Sequence, residues 1–202
     1  MDSINDMNQT IDYYNKNSER FYNNTVNIDL SELYSKFLRH IPDNGTILDL
    51  GCGSGRDSLY FLEKGYIVTS VDASEEMVRL SSELTGQKSH CMNMQDIEFK
   101  NEFNGIWACA SLLHVDKGST EDLLSNLGKA LKTDGCLYAS YKYGDGAQIK
   151  GDRFFNNYDE GTFEEVVNNV VGFEIENYWI TKDLRPNRID EKWLNVILKK
   201  SK

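Results

Sequence analysis

The chain contains little proline, histidine or cysteine, and it has no long hydrophobic run. Its 202 residues include two prolines, three histidines and four cysteines. The cysteines are far apart and form no CxxC pair, so neither a disulfide framework nor a zinc site is predicted, and no metal is expected. No segment approaches the ~20 apolar residues that span a bilayer, and Met1–Gln9 lacks the basic and apolar regions of a signal peptide. We therefore expect a reduced, cytoplasmic protein without membrane contact.

Basic residues are also scarce relative to acidic ones. The 22 lysines and arginines oppose 32 acidic residues, which gives a net charge of −10. Such a surface repels phosphate backbones and disfavours extended nucleic-acid binding, although it leaves binding of one structured RNA end open. A hydrophobic share of 40% is enough for one sizeable core. We therefore expect a single domain, residues 1–202, in a monomer or a homodimer.

Short apolar strands alternate with amphipathic helices along most of the chain. Strands are predicted at Thr46–Leu50, Tyr66–Val71, Ser89–Asn93, Gly105–Ser111 and Cys136–Tyr143, and two more at Phe173–Ile180 and Lys192–Lys199. Strands that alternate with helices of ~10–15 residues indicate βαβ units and a parallel sheet, whereas the last two strands are typical of a hairpin. The predicted fold class is α/β. It is a Rossmann-like, doubly wound, mostly parallel seven-stranded sheet with an antiparallel C-terminal edge hairpin.

The N-terminal residues, 1–42, are predicted to form helices that precede an α/β core of residues 43–202. The segment Ile11–Thr25 is rich in tyrosine and asparagine and predicts one or two helices with aromatic faces. Asp29 and Glu32 have the spacing of a capping box, and apolar residues recur at helical spacing from Leu30 to Ile41.

A glycine-rich loop follows the first predicted strand. Gly51, Gly53 and Gly55 permit positive φ and let backbone amides approach a ligand closely. Asp72 ends the second strand about 20 residues further on, where an acidic side chain can accept hydrogen bonds from both ribose hydroxyls. The pair predicts a nucleoside site at the carboxyl edge of the sheet, but it does not separate NAD from S-adenosylmethionine.

Two details favour S-adenosylmethionine. Arg56 occupies the position at which the dinucleotide fingerprint requires its third glycine or alanine. Asp49 lies just before the loop. Asp96 and Ile97 follow the third strand and provide a polar and an apolar residue to contact adenine.

Four segments, taken in order, resemble the motifs of class I S-adenosylmethionine-dependent methyltransferases. They are Ile47–Arg56, Val71–Ser74, Gln95–Ile97 and Ile106–His114, and the resemblance covers residues 46–143. It implies an enzyme that uses S-adenosylmethionine and releases S-adenosylhomocysteine. The implied cofactor-binding residues are Tyr14, Tyr22, Asp49, Gly51, Cys52, Gly53, Gly55, Arg56, Asp72, Ala73, Asp96, Ile97, Ala110 and Ser111.

The resemblance also implies a role for several of these residues. Gly51 and Gly53 would hold the methionine end, and Ala110 and Ser111 would line the sulfonium. The adenosine end would meet Asp72 at the ribose, Ala73 beside adenine, and Asp96 and Ile97 at the adenine edge. Tyr13, Tyr14 and Tyr22 resemble the tyrosines of an N-terminal helical lid in small-molecule members, which makes residues 1–42 the lid.

The catalytic candidates are His114 and Tyr141. Because the methyl group of a sulfonium is already activated, alignment of the acceptor is the main requirement, and a base matters only for a protonated nucleophile. His114 is a candidate base or substrate contact, with Tyr141 or Tyr158 behind it. A purely structural histidine after a core strand is an equally good interpretation.

The acceptor is predicted to be a small molecule and, if four cations converge on the site, an anionic one. Lys142, Arg153, Arg185 and Arg188 are these candidate substrate-binding residues, with ordinary solvated charges as the alternative. The segment Gly151–Asp159 and the final hairpin are expected to shape the acceptor pocket. A tRNA methyltransferase of the wobble-uridine type is the alternative function, and a non-catalytic cofactor-binding relative is the third.

Overall fold

The computed structural model describes residues 3–185 and 188–201. Met1, Asp2, Pro186, Asn187 and Lys202 lie outside the described residues. The helices are α1 (Ser3–Lys16), α2 (Ser18–Thr25), α3 (Ser31–Leu38), α4 (Arg56–Glu63), α5 (Glu75–Thr85), α6 (Lys117–Ala130) and α7 (Glu160–Asn168). The strands are β1 (Thr46–Leu50), β2 (Ile67–Asp72), β3 (His90–Cys91), β4 (Phe103–Ala108), β5 (Leu131–Lys142), β6 (Gly146–Lys150), β7 (Arg153–Asn157), β8 (Phe173–Lys182) and β9 (Lys192–Lys200).

Seven of these strands form one sheet in the order β3-β2-β1-β4-β5-β9-β8. Strands β1 to β5 are parallel, whereas β9 runs antiparallel to both β5 and β8. The predicted fold class is therefore confirmed, including the antiparallel hairpin at one edge. The strand order reverses beside β1, and this reversal opens a crevice at the carboxyl ends of β1 and β4.

The sheet is buried on both faces, and successive residues of its central strands pack on opposite sides. In β4, Ile106 packs with the side chains under α6 and α7, while its neighbour Trp107 packs on the other face with Phe37 and Phe61. Trp107 also stacks on Tyr138 of β5, with ring centroids 4.0 Å apart. This alternation follows from the two-residue period of a strand, and it explains why these strands are almost continuously apolar.

The helices α5 and α3 begin in different ways. Ser74 caps α5, because its hydroxyl accepts a hydrogen bond from the backbone N–H of Met77. The predicted capping box of Asp29 and Glu32 is wrong: α3 begins at Ser31, and the Asp29 carboxylate accepts from the Ser31 N–H. The Asp29 side chain therefore forms an Asx-turn with the backbone two residues later instead of capping the helix.

A second, two-stranded sheet was not predicted from the sequence. It consists of β6 and β7, which form an antiparallel hairpin between β5 and α7. This inserted hairpin packs against the N-terminal helix α1, and the Phe154 N–H donates to Thr10 Oγ1 at 3.1 Å. Residues from the start and from the last third of the chain thus lie together above the sheet.

Candidate cofactor and acceptor site

The glycine loop after β1 has a backbone that only glycine adopts easily. Gly51, Gly53 and Gly55 have φ values of 74°, 54° and 90°. A Cβ atom on Gly51 would lie 2.4 Å from the Cβ of Ser111, and one on Gly55 would lie 2.9 Å from the Cα of Ser81. Packing therefore requires glycine at both positions, whereas at Gly53 the requirement comes from φ alone.

Asp72 lies at the end of β2 and faces this loop. Its Oδ2 accepts a hydrogen bond from the Gly53 N–H, and its Oδ1 accepts from the Ser74 N–H, each at 2.9 Å. Burial raises the pKa of Asp72, and the backbone N–H groups of Ser74, Gly53 and Ala73 oppose that shift. Each carboxylate oxygen has two lone pairs, so both oxygens keep an acceptor position for a hydroxyl group.

One cavity of about 710 Å³ contains the loop and Asp72. Its cofactor side is lined by Phe21, Gly51, Gly53, Asp72, Ala73, Met92, Met94, Ala110 and Ser111. The opposite side, which we call the acceptor side, is lined by Tyr138, Ser140, Lys142, Arg153, Trp179, Arg185, Arg188 and Trp193. Tyr14 and His114 line the cavity between the two groups. Its volume lies in the ordinary range for small-molecule sites.

Seven predicted site residues do not line this cavity. They are Tyr22, Asp49, Cys52, Gly55, Asp96, Ile97 and Tyr141. Asp96 and Ile97 line a separate cavity of about 430 Å³, where Asp96 is exposed and Ile97 is buried. Tyr141 is fully buried against Tyr158 and Phe163, and its hydroxyl has no partner among the described residues. The structure thus does not bring Tyr141 to the reacting atoms as the sequence predicted.

Asp49 lies beneath the glycine loop instead of in the cavity. It is buried, and its Oδ2 accepts a hydrogen bond of 2.6 Å from the Ser58 hydroxyl, which also contacts the Ser70 hydroxyl at 2.7 Å. Burial, aided by the nearby charge of Asp57, raises the pKa of Asp49 to about 8. Asp49 therefore supports the loop from below while protonated at neutral pH.

Arg56 lines the cavity, but its charge is already compensated. Its guanidinium binds both carboxylate oxygens of Asp57, at 2.6 and 3.0 Å, and the same carboxylate accepts from Tyr34 and Trp107. Arg56 also lies 3.4 Å from the Thr25 carbonyl at the end of α2. It thereby ties α4 and the N-terminal helices to the sheet.

His114 is held at both ring nitrogens. Nδ1 lies 2.6 Å from the Phe154 carbonyl, so it donates the hydrogen bond, and Nε2 accepts from the Tyr14 hydroxyl at 3.0 Å. This tautomer follows from the hydrogen-bond partners, since a carbonyl can only accept. Burial lowers the pKa of His114 to about 4, with a smaller contribution from Arg153. At neutral pH His114 is therefore an uncharged link between α1 and β7.

Three of the four predicted substrate cations are paired with carboxylates. Lys142 Nζ lies 3.0 Å from Asp183 and also contacts Glu191. Arg185 binds both oxygens of Asp183, and Arg188 lies 3.6 Å from Glu191. These pairs form a network at the acceptor side in which three cations share two carboxylates. Lys142 lies 41 residues from Asp183 and 49 residues from Glu191 in the sequence, so no local spacing predicts these two ion pairs.

Arg153 differs from the other three cations. Its guanidinium carbon lies 4.5 Å from the ring centroid of Tyr13 and 5.1 Å from that of Phe155. Within residues 3–185 and 188–201 no carboxylate lies within ion-pair distance of Arg153, and its buried Nε has no hydrogen-bond partner. The structure thus brings an unpaired cation to the cavity.

Several lining residues carried no signal that the sequence analysis used. Phe21 lines the cavity, whereas the predicted Tyr22 beside it does not, and Met92 and Met94 occupy the region expected for Asp96. Trp179 and Trp193 lie on the edge hairpin. The aromatic character of that hairpin was the available clue, since grouped aromatic side chains offer apolar surface for a ligand or a partner.

Part of the chain is similar to known methyltransferases. Residues 47–135 match the model of the methyltransferase domain family. A Bacillus subtilis protein that carries the name methyltransferase YqeM is 29% identical over 131 residues, which is 59% of this chain and 52% of that protein. A methyltransferase of Staphylococcus carnosus is 24% identical over 174 residues, or 81% of each chain. The chain thus spans about half the length of the first of these relatives.

Solved structures share the fold. The 1,6-didemethyltoxoflavin N1-methyltransferase of Burkholderia thailandensis, solved with S-adenosylhomocysteine, has a TM-score of 0.77 at 20% identity over 95% of this chain and 85% of that one. The magnesium protoporphyrin IX methyltransferase of Synechocystis, solved with S-adenosylmethionine, has a TM-score of 0.74 at 15% identity over 97% of both. The matched residues and these shared folds support the class I S-adenosylmethionine-dependent methyltransferase family that the motifs predicted.

Two other classes of feature are absent from the described residues. Within the described part of the chain, no helix is both long and apolar enough to cross a membrane. Among the same residues, no three histidine, cysteine, aspartate or glutamate side chains come together as a metal site.

Proposed function

We propose that this protein transfers the sulfonium methyl of S-adenosylmethionine to a small-molecule acceptor by in-line displacement. One observation carries the proposal: the glycine loop and Asp72 share a single cavity with a separate group of aromatic and cationic side chains. A cofactor and a second molecule can therefore meet without leaving the protein. Residues 1–42 act as a lid in this proposal, because Tyr14 and Phe21 line the cavity from the N-terminal helices.

The residues of the cofactor side fit the proposed cofactor. Asp72 retains acceptor positions for two ribose hydroxyls, and Gly51 and Gly53 leave backbone free of side chains where the methionine end would lie. Met77, Met92 and Met94 offer an apolar and adaptable surface for adenine. The proposed contacts of Asp96 and Ile97 with adenine need the segment after β3 to approach the cavity.

S-adenosylmethionine, when bound, supplies an activated methyl group, so the protein has to align the acceptor and exclude water. Alignment alone contributes on the order of 7–11 kcal/mol in favourable cases. Tyr14 and His114 lie between the two sides of the cavity, and their hydrogen bond fixes both rings. With a pKa near 4 and its Nε2 engaged by Tyr14, His114 orients groups at the junction and serves poorly as a general base.

The relatives support a small acceptor. The Burkholderia thailandensis and Synechocystis methyltransferases are named for small molecules, 1,6-didemethyltoxoflavin and magnesium protoporphyrin IX. The cavity of this chain is of suitable size, and Lys142, Arg185 and Arg188 are each engaged by the carboxylate of Asp183 or Glu191 instead of being free for a phosphate backbone. These observations favour a small molecule over the tRNA alternative.

A methyl-transfer screen tests the proposal. Radiolabelled S-adenosylmethionine is incubated with the protein and either pooled small molecules or bulk tRNA, side by side. We expect label in the small-molecule pool with the wild type and almost none with Asp72→Ala, which is predicted to lose the ribose contact. Label in tRNA would favour the alternative, and no label in either pool despite bound cofactor would favour a non-catalytic relative.

A further inference from the structure

We propose that Arg153 binds an anionic group, such as a carboxylate, on the methyl acceptor. This inference rests on the proposed function and adds the chemical class of the acceptor to it. Of the arginines that line the cavity, Arg56, Arg185 and Arg188 each have a carboxylate partner, whereas Arg153 has none among the described residues. The acceptor site is thereby reduced from four candidate cations to one.

The surroundings of Arg153 make an anionic ligand favourable. Its guanidinium carbon lies 4.5 Å from the ring centroid of Tyr13 and 5.1 Å from that of Phe155, and neither ring neutralises the charge. The Nε atom is buried and unpaired, so one edge of the planar fork still lacks an acceptor. A desolvated cation is costly unless it is paired, and a guanidinium fork matches a carboxylate in bidentate geometry.

Arg153 also lies beside the residues that join the two sides of the cavity. Phe155, on which it packs, lies 5.1 Å from the His114 ring, and His114 binds Tyr14. Burial raises the pKa of Tyr14, the charge of Arg153 and a hydrogen bond with its side chain oppose that shift, and the charge of Asp72 adds to it. The Tyr14 hydroxyl is thus within electrostatic reach of both the ribose-binding acid and the unpaired cation.

The position of Arg153 in the chain favours the acceptor over the cofactor as its ligand. Arg153 begins β7, in the inserted hairpin, and lies outside residues 47–135, which match the family model. The methionine carboxylate of the cofactor has the same chemistry, however, and the experiment must separate the two sources. S-adenosylhomocysteine carries that carboxylate, whereas 5′-methylthioadenosine has the same thioether and adenosine without it.

The test compares wild type, Arg153→Gln and a matched control, Arg20→Gln. Arg20 is an exposed arginine that also contacts Tyr13, at 3.3 Å from its hydroxyl, but it does not line the cavity. Calorimetry measures binding of S-adenosylhomocysteine and 5′-methylthioadenosine. Methyl transfer is measured against a cell extract of small molecules that an anion-exchange column divides into retained and unretained pools.

We expect wild type and Arg20→Gln to methylate acceptors in the retained, anionic pool. Arg153→Gln should need at least tenfold more of that pool for half-maximal rate, because it loses hydrogen bonds to a charged group. Its affinity for both thioethers should stay within about twofold of wild type. Arg153→Lys keeps the charge but loses the fork, so a smaller increase is expected, and this variant replaces Arg153→Gln if the latter does not fold.

Two results would overturn the assignment of Arg153. Weaker binding of S-adenosylhomocysteine by Arg153→Gln, with 5′-methylthioadenosine unaffected, would assign the arginine to the cofactor carboxylate. Methylation confined to the unretained pool would remove the anionic acceptor. Failure of the proposed function itself is distinct, since the wild type would then bind neither thioether or transfer no methyl group to either pool.

Discussion

The two sides of the cavity are built in different ways. On the cofactor side, backbone conformation and one carboxylate form the site, and the contacts join Gly51, Gly53 and Asp72 at the ends of two adjacent parallel strands. On the acceptor side, charged and aromatic side chains form it, and the contacts join α1, the inserted hairpin and the edge hairpin. The first arrangement restricts which residue fits at each position, whereas the second lets one cation exchange for another at little cost to the fold.

This difference predicts that a substitution in the glycine loop has the largest effect on stability and on cofactor binding. Gly51→Ala places a methyl group 2.4 Å from the Ser111 Cβ at a φ of 74°. Strain and overlap together should lower the free energy of unfolding by about 2–4 kcal/mol and abolish measurable cofactor binding. Urea unfolding and calorimetry measure the two effects.

Gly86→Ala is the matched control for that prediction. Gly86 has a similar φ of 68°, but a Cβ there would meet nothing within 4 Å. Gly86→Ala should lower the free energy of unfolding by the backbone strain alone, about 1–2 kcal/mol, and should leave cofactor affinity unchanged. Equal losses of stability in the two variants would mean that overlap with Ser111 contributes nothing to the destabilisation by Gly51→Ala.

Asp49, below the glycine loop, and His114, between the two sides, should also respond to pH in opposite directions. The pKa of Asp49, below the loop, is raised to about 8 from 3.8, so the folded state holds a proton that the unfolded state loses between those values. Its contribution to stability therefore falls as pH rises from about 4 to about 8. The pKa of His114 is lowered from 6.5 to about 4, so its contribution is present above pH 6.5 and falls as pH is lowered toward 4.

Asp49→Asn and His114→Asn test this contrast. Relative to wild type, Asp49→Asn should become more stable as pH rises from 5 to 8, and His114→Asn should become more stable as pH falls from 6.5 to 4.5. The change across its window should be at most about 4 kcal/mol for Asp49→Asn and about 3 kcal/mol for His114→Asn, since one pKa unit corresponds to about 1.4 kcal/mol. Urea unfolding at each pH measures it, and parallel curves for either variant would show that the group keeps its ordinary pKa.

Asp72→Ala should have the next largest effect, and it should affect ligand binding more than folding. Removal of the shared acceptor of the ribose hydroxyls should weaken S-adenosylhomocysteine binding tenfold or more, since hydrogen bonds to a charged group contribute about 1.5–3 kcal/mol. Calorimetry measures the affinity. Asp96→Ala is the informative comparison, because Asp96 lines a different cavity. A loss as large as that of Asp72→Ala would indicate that the segment after β3 closes on adenine.

The same contrast explains how much could be predicted from the sequence. Gly51, Asp72 and Ser74 were predictable because each belongs to a short segment whose strand, turn or cap can be recognised locally. The inserted hairpin was not, because β6 is mostly exposed and lacks alternation of apolar and polar residues. The sequence suggested Arg153 and Lys142 equally as anion ligands, because only tertiary contacts show that Lys142 is paired with Asp183.

Substitution of the lid tyrosine Tyr14 has the smallest predicted effect, and it concerns the rate of cofactor release. The sequence suggested Tyr14 and Tyr22 alike, but Tyr14 lines the cavity and donates to His114 Nε2, whereas Tyr22 is only partly buried and does not line it. Tyr14→Phe keeps the edge contacts of the ring with Tyr13 and Phe21 and removes only this hydrogen bond. A neutral hydrogen bond contributes about 0.5–1.5 kcal/mol, so S-adenosylhomocysteine should dissociate roughly two- to tenfold faster.

Stopped-flow displacement measures that dissociation rate, with Tyr22→Phe as the matched control that should leave it unchanged. The expected ratio is small because Arg56 and the packing of α1 on β7 also hold the N-terminal helices. If Tyr22→Phe accelerates release as much as Tyr14→Phe, the lid acts through general packing of the aromatic face. If neither variant changes the rate, the hydrogen bond between Tyr14 and His114 does not contribute to the retention of the cofactor.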